Sequence, residues 1–568
     1  MVSGILYKKK NEENNTPAFH TIYNIQYTTY YPPLPASNTI YDMQHTIYAP
    51  LPSASHTIYD IQHTIYGSRG VTVMLVLAFM GIFALIVGSI TSYVLQQGKY
   101  GRALFAREQA LHIAEAGLEY YKWWLGHNQN GANLTSPTTA NYTVNDPEGG
   151  APLGSAEITA TPALQCGAVQ WIDLESKGTA SSSPNFPRTL LARYMQPSVA
   201  EYSNITNSNV WYIASDATVG PVHSNGGIHM DGTYNSNVTS AVSTWNCNAD
   251  FGCDGNGTNP PGGIKNGVFR GDGSSSGLWK WGPGVSNIDF GVIGTTLANL
   301  KTKASNNGGI YHGPAAGSDA NQRGYHLIFN VDGTVTIRKV TATTAVPSYS
   351  TDLTDSNRVS DPARWDYGWT QTEYSIIQTE VPVDTFPIPS SCSVIFIEDH
   401  AWIEGLVKGK VTVAVGTPSD SSSSPSAYLP DNITYEANDG TNGLTVIAEG
   451  NILIPLTSPD TMELHGIFIA SGHFGRNFYT NDPGYCDYGY CVGSINPSYA
   501  QNVLRARLND IGTIVSKQSF GSQWFDGTTV ISGFQTHADF YDRLLAFSPP
   551  PFTPTASTTY QLNLWREK

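Results

Sequence analysis

A mainly β protein with one long N-terminal α-helix is the fold class this sequence predicts. Three observations lead there. From Val71 to Gly98 no residue is charged and most are apolar, and the run continues without proline to Leu125; that length and pattern read as helix. Charged residues are only 13% of the chain, while Gly alone accounts for 55 residues, with Ser, Thr and Asn also abundant. Such a composition suits short strands and turns better than helix bundles. From about Asn209 onward the apolar residues come in pieces of three to five, mostly Ile, Val and Leu, with Gly or Asn at the corners. Pieces that short cannot make long hairpins but can stack as the rungs of a parallel β-solenoid; a β-sandwich with long loops is the alternative.

At 568 residues the chain has room for two or three domains. Residues 1–70 contain a repeat of 18 residues, in HTIYNIQYTTYYPPLPAS from His20, NTIYDMQHTIYAPLPSAS from Asn38 and HTIYDIQHTIYGSRG from His56. Three such units, interrupted by Pro32, Pro33, Pro35, Pro50 and Pro52, cannot bury much core. The segment reads as a disordered leader or as an extension translated upstream of the true start, and it is set aside from the fold.

The helix of residues 71–125 has two halves. Its first half is long enough to cross a bilayer core of about 30 Å. Its second half carries Leu104, Leu111, Leu118 and Leu125 at a spacing of seven, with Ala114 and Tyr121 between them, a narrow apolar seam for packing. These residues also carry a resemblance. Arg69-Gly70 before an uncharged apolar run is similar to the junction cut by a prepilin peptidase, here between Gly70 and Val71. Gln109-Ala-Leu-His-Ile-Ala-Glu-Ala-Gly-Leu118 resembles the segment that closes the N-terminal helix of PilX-type minor pilins of type IV pili. The fifth residue after the cut is Leu75, where major pilins carry Glu, so the resemblance points to a minor or pilin-like component.

Residues 126–205 read as a small pilin-like β region. Asn-, Thr-, Pro- and Gly-rich sequence to about Gly154 reads as linker, and Ser155–Ala160, Val169–Leu174 and Thr189–Tyr194 alternate apolar and polar residues as half-buried strands do. Residues 206–500 read as the solenoid-like ectodomain, in which about 240–390 is an insertion or else more coils with large excursions. That stretch holds a short helix near Thr295–Ala304 and a hairpin turning at Asp332-Gly333. Residues 501–568 form a closing segment, in which Gln501–Ser516 fits helix or strand and YQLNLWRE reads as a final edge strand.

The net charge is −15, and because residues 1–70 are balanced and the helix is nearly so, almost all of it lies beyond Leu125. An acidic body does not suit binding to nucleic-acid phosphates. It does suit solubility outside a cell. Six cysteines follow the apolar run, an even number that fits disulfides. Cys247 with Cys253, and Cys486 with Cys491, would each clip a small loop, leaving Cys166 for Cys392; no C-x2-C pair points to zinc.

Chemistry-bearing residues are weighed against plainer readings. His223, His229, His400, His465 and His473 stand near the solenoid pieces, but no H-E-x-x-H or Walker pattern occurs, so they read as turn and surface histidines. Gly273-Ser-Ser-Ser-Gly277 matches G-x-S-x-G by letter only, without strand-turn-helix context. Asp250, Asp254 and Asn256 form an oxygen-rich loop that could take Ca²⁺, although an ordinary polar loop is the simpler reading; no other cofactor is expected. Glu398, Asp399 and Glu404 could serve glycan chemistry as paired carboxylates but read better as a solvated face. Trp123, Trp124, Trp279 and Trp281 could stack on sugars but more often such residues are core. Glu108, Glu115 and Glu119 could pair within the helix or with Arg102 and Arg107 of adjacent subunits.

The resemblance implies a non-enzymatic surface protein. Such a protein sits in the inner membrane by a single span, is cut by prepilin peptidase, and joins other pilin subunits through its helix in a pilus or pseudopilus. The acidic β-rich body would then serve assembly or adhesion to a surface glycan or host-cell ligand. The alternative is a membrane-anchored β-helix enzyme acting on extracellular polysaccharide.

Overall fold

The computed structural model describes residues 69–127, 134–255, 259–315, 322–350, 369–420, 423–483, 486–487, 490–491, 493–518, 520–526 and 529–568. Residues 1–68, with the repeat, lie outside the described residues. The chain divides into two compact units, Met1–Ile86 and Val87–Lys568. In the first, the described residues are helical and every described side chain from Val71 to Ile86 is exposed. The helix that holds them, α1 (Arg69–His127), has 59 residues and begins two residues before Val71. It passes through Gly98 as helix, where Arg102 Nε donates to the Gly98 carbonyl at 3.3 Å.

In the second unit an antiparallel sheet of five strands follows. Its members are β1 (Thr138–Asn145), β2 (Pro152–Gln165), β3 (Ala168–Ala180), β4 (Arg188–Met195) and β5 (Gln561–Glu567), hydrogen-bonded in that order. Strand β1 falls in sequence expected to be linker. Its TTANYTVN alternates partly buried and exposed positions, and its threonines, Tyr142 and Val144 favour a pleated half-buried strand over the turn that flanking Pro and Gly suggest. The chain's last strand, β5, pairs antiparallel with β4. Everything between Met195 and Gln561 is therefore an excursion between two neighbouring strands of one sheet.

That excursion is built of parallel ladders. One runs through Ile310–His312, Val394–Ile397, Lys410–Val415, Gly443–Ala448, Thr461–Ala470, Leu504–Ser516, Asn204–Thr206, Val222–Ser224, Val238–Ser240 and Trp279–Trp281, each parallel to the next. A second runs through Gly324–Phe329, His400–Val407, Ile433–Tyr435, Thr461–Ala470, Leu504–Ser516, Thr529–Phe540, Ala217–Val219 and Thr233–Tyr234. A third joins His400–Val407, Ala427–Tyr428, Ile452–Leu453, Phe474–Gly475 and Phe520–Gly521. This is the stacking expected of solenoid rungs, with one departure from sequential order. The chain enters the stack in its middle at Asn204, climbs to Trp279, restarts at the other end at Ile310, and returns until Leu504–Ser516 docks on the strand where it began.

The stretch expected as an insertion or as more coils thus contributes rungs of its own. It also holds the helix α2 (Val292–Asn306) and the hairpin of Gly324–Phe329 with Thr334–Ser350, where Phe329 faces Val335 and Gly333 takes a φ of +83°. Gln501–Ser516, ambiguous by pattern, is a short 3-10 turn (Pro497–Asn502) followed by strand. The main apolar core lies inside the ladders and includes Ile395, Ile403, Val413, Val446, Phe468, Phe474 and Phe534. Two disulfides are present among the described residues, Cys247–Cys253 and Cys166–Cys392. The second joins the β2–β3 turn to the strand at Val394 across 226 residues. The side chains of Cys486 and Cys491 lie outside the described residues, while their backbones face each other in a two-strand pairing.

Candidate functional site: the helix and the sheet that covers it

Residues 110–125 of α1 form the surface on which the antiparallel sheet lies. Ala110, Ile113, Ala114, Leu118, Tyr121 and Leu125 are buried with Ala156, Ile158 and Ala160 of β2, Ile172, Leu174 and Ala180 of β3, and Leu190, Ala192 and Tyr194 of β4. Each buried Leu or Ile contributes about 1.5–3 kcal/mol. Of the expected seam, Leu118 and Leu125 are buried in this core, Leu111 packs at its edge, and Leu104 is 44% exposed. The reason is angular. A spacing of seven drifts about 20° per heptad around a straight helix, so the four leucines do not share one face. The covered face follows steps of three and four instead, through residues 110, 113, 114, 117, 118, 121 and 125.

Small residues let the helix approach the sheet closely, and the leucine spacing did not reveal them. A Cβ on Gly178 of β3 would stand 2.0 Å from the Ala110 carbonyl oxygen and 2.5 Å from the Ala114 nitrogen. A Cβ on Gly117 of the helix would stand 2.5 Å from Ser176 Oγ and 2.6 Å from Ala156 Cβ. Backbone therefore meets backbone here. The signal was present in Gln109-Ala-Leu-His-Ile-Ala-Glu-Ala-Gly, where small residues recur at positions 110, 114 and 117.

Polar contacts frame the packing. Tyr121 Oη and Thr138 Oγ1 are 3.0 Å apart, Tyr120 stacks on Tyr142 with ring centroids at 4.2 Å, and Ser182 Oγ donates to Gln109 Oε1 at 3.0 Å. Two of the helix carboxylates pair within the helix, Glu115 with His112 at 3.0 Å and Glu119 with Lys122 at 3.3 Å. At the sheet edge Arg188 of β4 pairs with Glu567 of β5. That hydrogen bond raises the Arg188 guanidinium further, and the charge of Glu108 on the helix adds to it. Trp123 is exposed, whereas Trp124 is half-buried and stacks on Tyr121 at 5.2 Å. Toward the N-terminus the helix side chains are exposed as far as Arg102. The apolar window in Val71–His127 has a mean hydropathy of 2.7 with none of it buried, enough by length and composition to cross a membrane. Gly70 and Val71 lie in the first turn of α1.

The other singled-out residues are scattered. His223 is buried between Thr239 Oγ1 and Asn225 Oδ1, at 3.0 Å from each. His229 meets the Phe251 carbonyl at 2.7 Å and Asp231 at 3.0 Å; it lies near Cys247 and Cys253, but those sulfurs are bonded to each other. His400 Nδ1 accepts from the Ser426 backbone N–H at 3.0 Å. His465 and His473 are buried on other rungs. Among the described residues, no cluster with metal-ligating geometry contains two of these histidines. Glu398 pairs with Lys301 and Tyr311, Asp399 with Arg323 at 3.2 Å, and Glu404 with His326 at 3.4 Å. The three carboxylates are thus partnered within the fold, not presented as a solvated face. Asp250 lies in a 3-10 turn and accepts from Asn248 Nδ2 at 2.8 Å, and Asn256 is outside the described residues. At the Gly273–Gly277 loop, Asp272 Oδ1 accepts from the Ser274 backbone N–H at 2.8 Å. Trp279 is buried, and Trp281 packs beside the same cluster.

No family model matches the chain, and no curated protein is similar to it. Among solved structures it is similar to the crystal structure of the competence-associated pilin ComZ from Thermus thermophilus, at 13% identity and a TM-score of 0.22, over 82% of this chain and 98% of that one. A likeness at that score carries no argument about fold or function. One long N-terminal helix and a mainly β body define the fold.

Proposed function

We propose that this chain is a minor pilin or pilin-like surface protein. Prepilin peptidase cuts it between Gly70 and Val71. Its helix sits in the inner membrane before assembly and then packs among the helices of like subunits in a pilus or pseudopilus. The body of parallel ladders serves adhesion or assembly and performs no chemistry. The observation that carries this reading is the division of labour along α1. Its N-terminal side chains from Val71 are apolar and exposed, while residues 110–125 are covered by an antiparallel sheet. An exposed uncharged helix in water costs free energy in proportion to its apolar area, and lipid or neighbouring helices remove that cost. The Arg69-Gly70 junction and the Ala-Glu-Ala-Gly segment add support.

The test is N-terminal sequencing of the protein recovered from cells that carry a prepilin peptidase and from cells without it. A mature chain beginning at Val71, seen only with the peptidase and blocked by Gly70→Val, is the expected result. A surface-exposed chain that retains Arg69 in peptidase-positive cells overturns the reading.

A further inference from the structure

The rungs where the returning chain docks on its own beginning enclose a buried cluster of carboxylates around one imidazole. Asp510 on Leu504–Ser516, His537 and Asp539 on Thr529–Phe540, and Asp216 just before Ala217–Val219 are each less than a tenth exposed. Register brings them together: Asp510 is directly opposite Asp539, and Asp539 directly opposite Thr218. His537 Nε2 lies 2.5 Å from Asp510 Oδ2 and 3.1 Å from Asp539 Oδ1. The ligand atoms of the three residues fall within 4.8 Å of one another.

Burial at this density needs an explanation. A carboxylate out of water is costly unless it is paired or metal-bound, and here two flank one imidazole. Nε2 carries at most one proton, so it can donate to only one of the two carboxylates beside it. Asp510 Oδ1, Asp216 Oδ1, Tyr212 Oη and Thr218 Oγ1 are buried with no hydrogen-bond partner. One imidazole carries at most a single positive charge against the two carboxylates beside it.

We propose that His537 Nε2, Asp510 and Asp539 bind one divalent first-row transition ion, of the Zn²⁺ or Mn²⁺ class. Ligands that share an ion at about 2.0–2.2 Å stand about 3–3.5 Å apart; the 3.1 Å pair already has that separation, and the 2.5 Å pair has to open by up to about 1 Å as the ion enters. The other ring nitrogen, His537 Nδ1, lies 3.4 Å from Ser522 Oγ, the outer-shell partner a ligating histidine usually has. An imidazole among carboxylates selects a borderline ion over Ca²⁺, which takes oxygen alone. The ion would bridge Leu504–Ser516 to Thr529–Phe540 beside Ala217–Val219, at the seam where the returning chain meets its own beginning. It would thereby tie two neighbouring rungs together beside the strand on which the returning chain docks.

The experiment uses the full chain in detergent, stripped with EDTA and dialysed against Zn²⁺ or Mn²⁺ with excess Mg²⁺ and Ca²⁺. Bound metal is counted by mass spectrometry, and folding is checked by circular dichroism. About one ion per chain is expected, with a higher Tm, and His537→Gln and Asp539→Asn should each weaken uptake at least about tenfold. A folded wild-type chain that takes up neither ion overturns the proposal, as does a folded His537→Gln chain that binds as well as wild type. If the variants do not fold, the ion is located in crystals of the wild-type chain by anomalous scattering. A peak between His537 and Asp510 supports the assignment, and a peak elsewhere overturns it. Retention of Arg69 in cells would leave this result untouched, so the two readings fail separately.

Discussion

Strand β1 and the rung Gly443–Ala448 are built for different neighbours. Along β1 partly buried and exposed residues alternate, whereas all six residues of Gly443–Ala448 are buried. The antiparallel sheet has one face on α1 and the other toward water, so period two is its signature. The rungs are covered on both faces, by the interior on one side and by further chain on the other. Val394–Ile397 is accordingly an unbroken apolar run, and in Lys410–Val415 every residue after Lys410 is buried, the Thr412 hydroxyl donating to the Pro551 carbonyl. The sheet depends on close approach to a single helix, while the ladders depend on many modest contacts repeated along a stack. Damage should be local and severe in the first, and distributed in the second.

The contrast breaks most sharply at Gly178. Replacing it with Val places new atoms against the Ala110 and Ala114 backbone, and the helix must lift from the sheet. A loss of about 3 kcal/mol or more is expected, read as a lower Tm and as proteolysis within 128–195, with the ladders' strand signal in circular dichroism retained. If Gly178→Val melts both regions together, they fold as one cooperative unit and the contrast fails.

Next in size is the covalent join between the regions. Cys166→Ala with Cys392→Ala opens a loop of 226 residues, at an expected cost of about 2–5 kcal/mol. The same pair of changes at Cys247 and Cys253, separated by only six, should cost less on the loop-entropy account. Denaturation of both double variants, with and without reductant, checks the order.

The smallest effect belongs to the ladders' edge. His326 lies 2.8 Å from Glu380 on the long strand Trp369–Pro387 and 3.4 Å from Glu404 on the neighbouring rung. Burial would lower its pKa, but Glu404 and Glu380 outweigh that and raise it. A histidine raised on folding adds stability that is complete below about pH 6.5 and is lost as pH rises through the raised value. The wild-type chain should therefore lose a little more stability between pH 6 and 8 than His326→Gln does. Equal slopes in urea titrations would show that the imidazole carries no charge in this pair.

The sequence showed the helix plainly, because an uncharged run from Val71 to Gly98 has few other readings. It also showed three of the sheet strands and the texture of the rungs, which are local patterns. Leu104 was misjudged because a heptad is only an approximation to 3.6 residues per turn. Strand β1 was hidden by its Pro- and Gly-rich surroundings. The order of the rungs was not legible at all: nothing near Asn204 announces that Ile514 will pair with it. For the same reason Asp510, His537 and Asp539 drew no attention, since two of the three gain meaning only when a distant strand is laid beside them.

Strands β4 and β5 are hydrogen-bonded neighbours, so the chain leaves the sheet at Met195 and re-enters at Gln561 about 4.8 Å away, one strand spacing. A doorway that narrow makes few demands on what lies beyond it. A folded module whose two ends come together could be grafted there while the helix stayed gripped, at the loss of the Cys166–Cys392 bridge, and the present one could grow or shrink by rungs distant from that bridge.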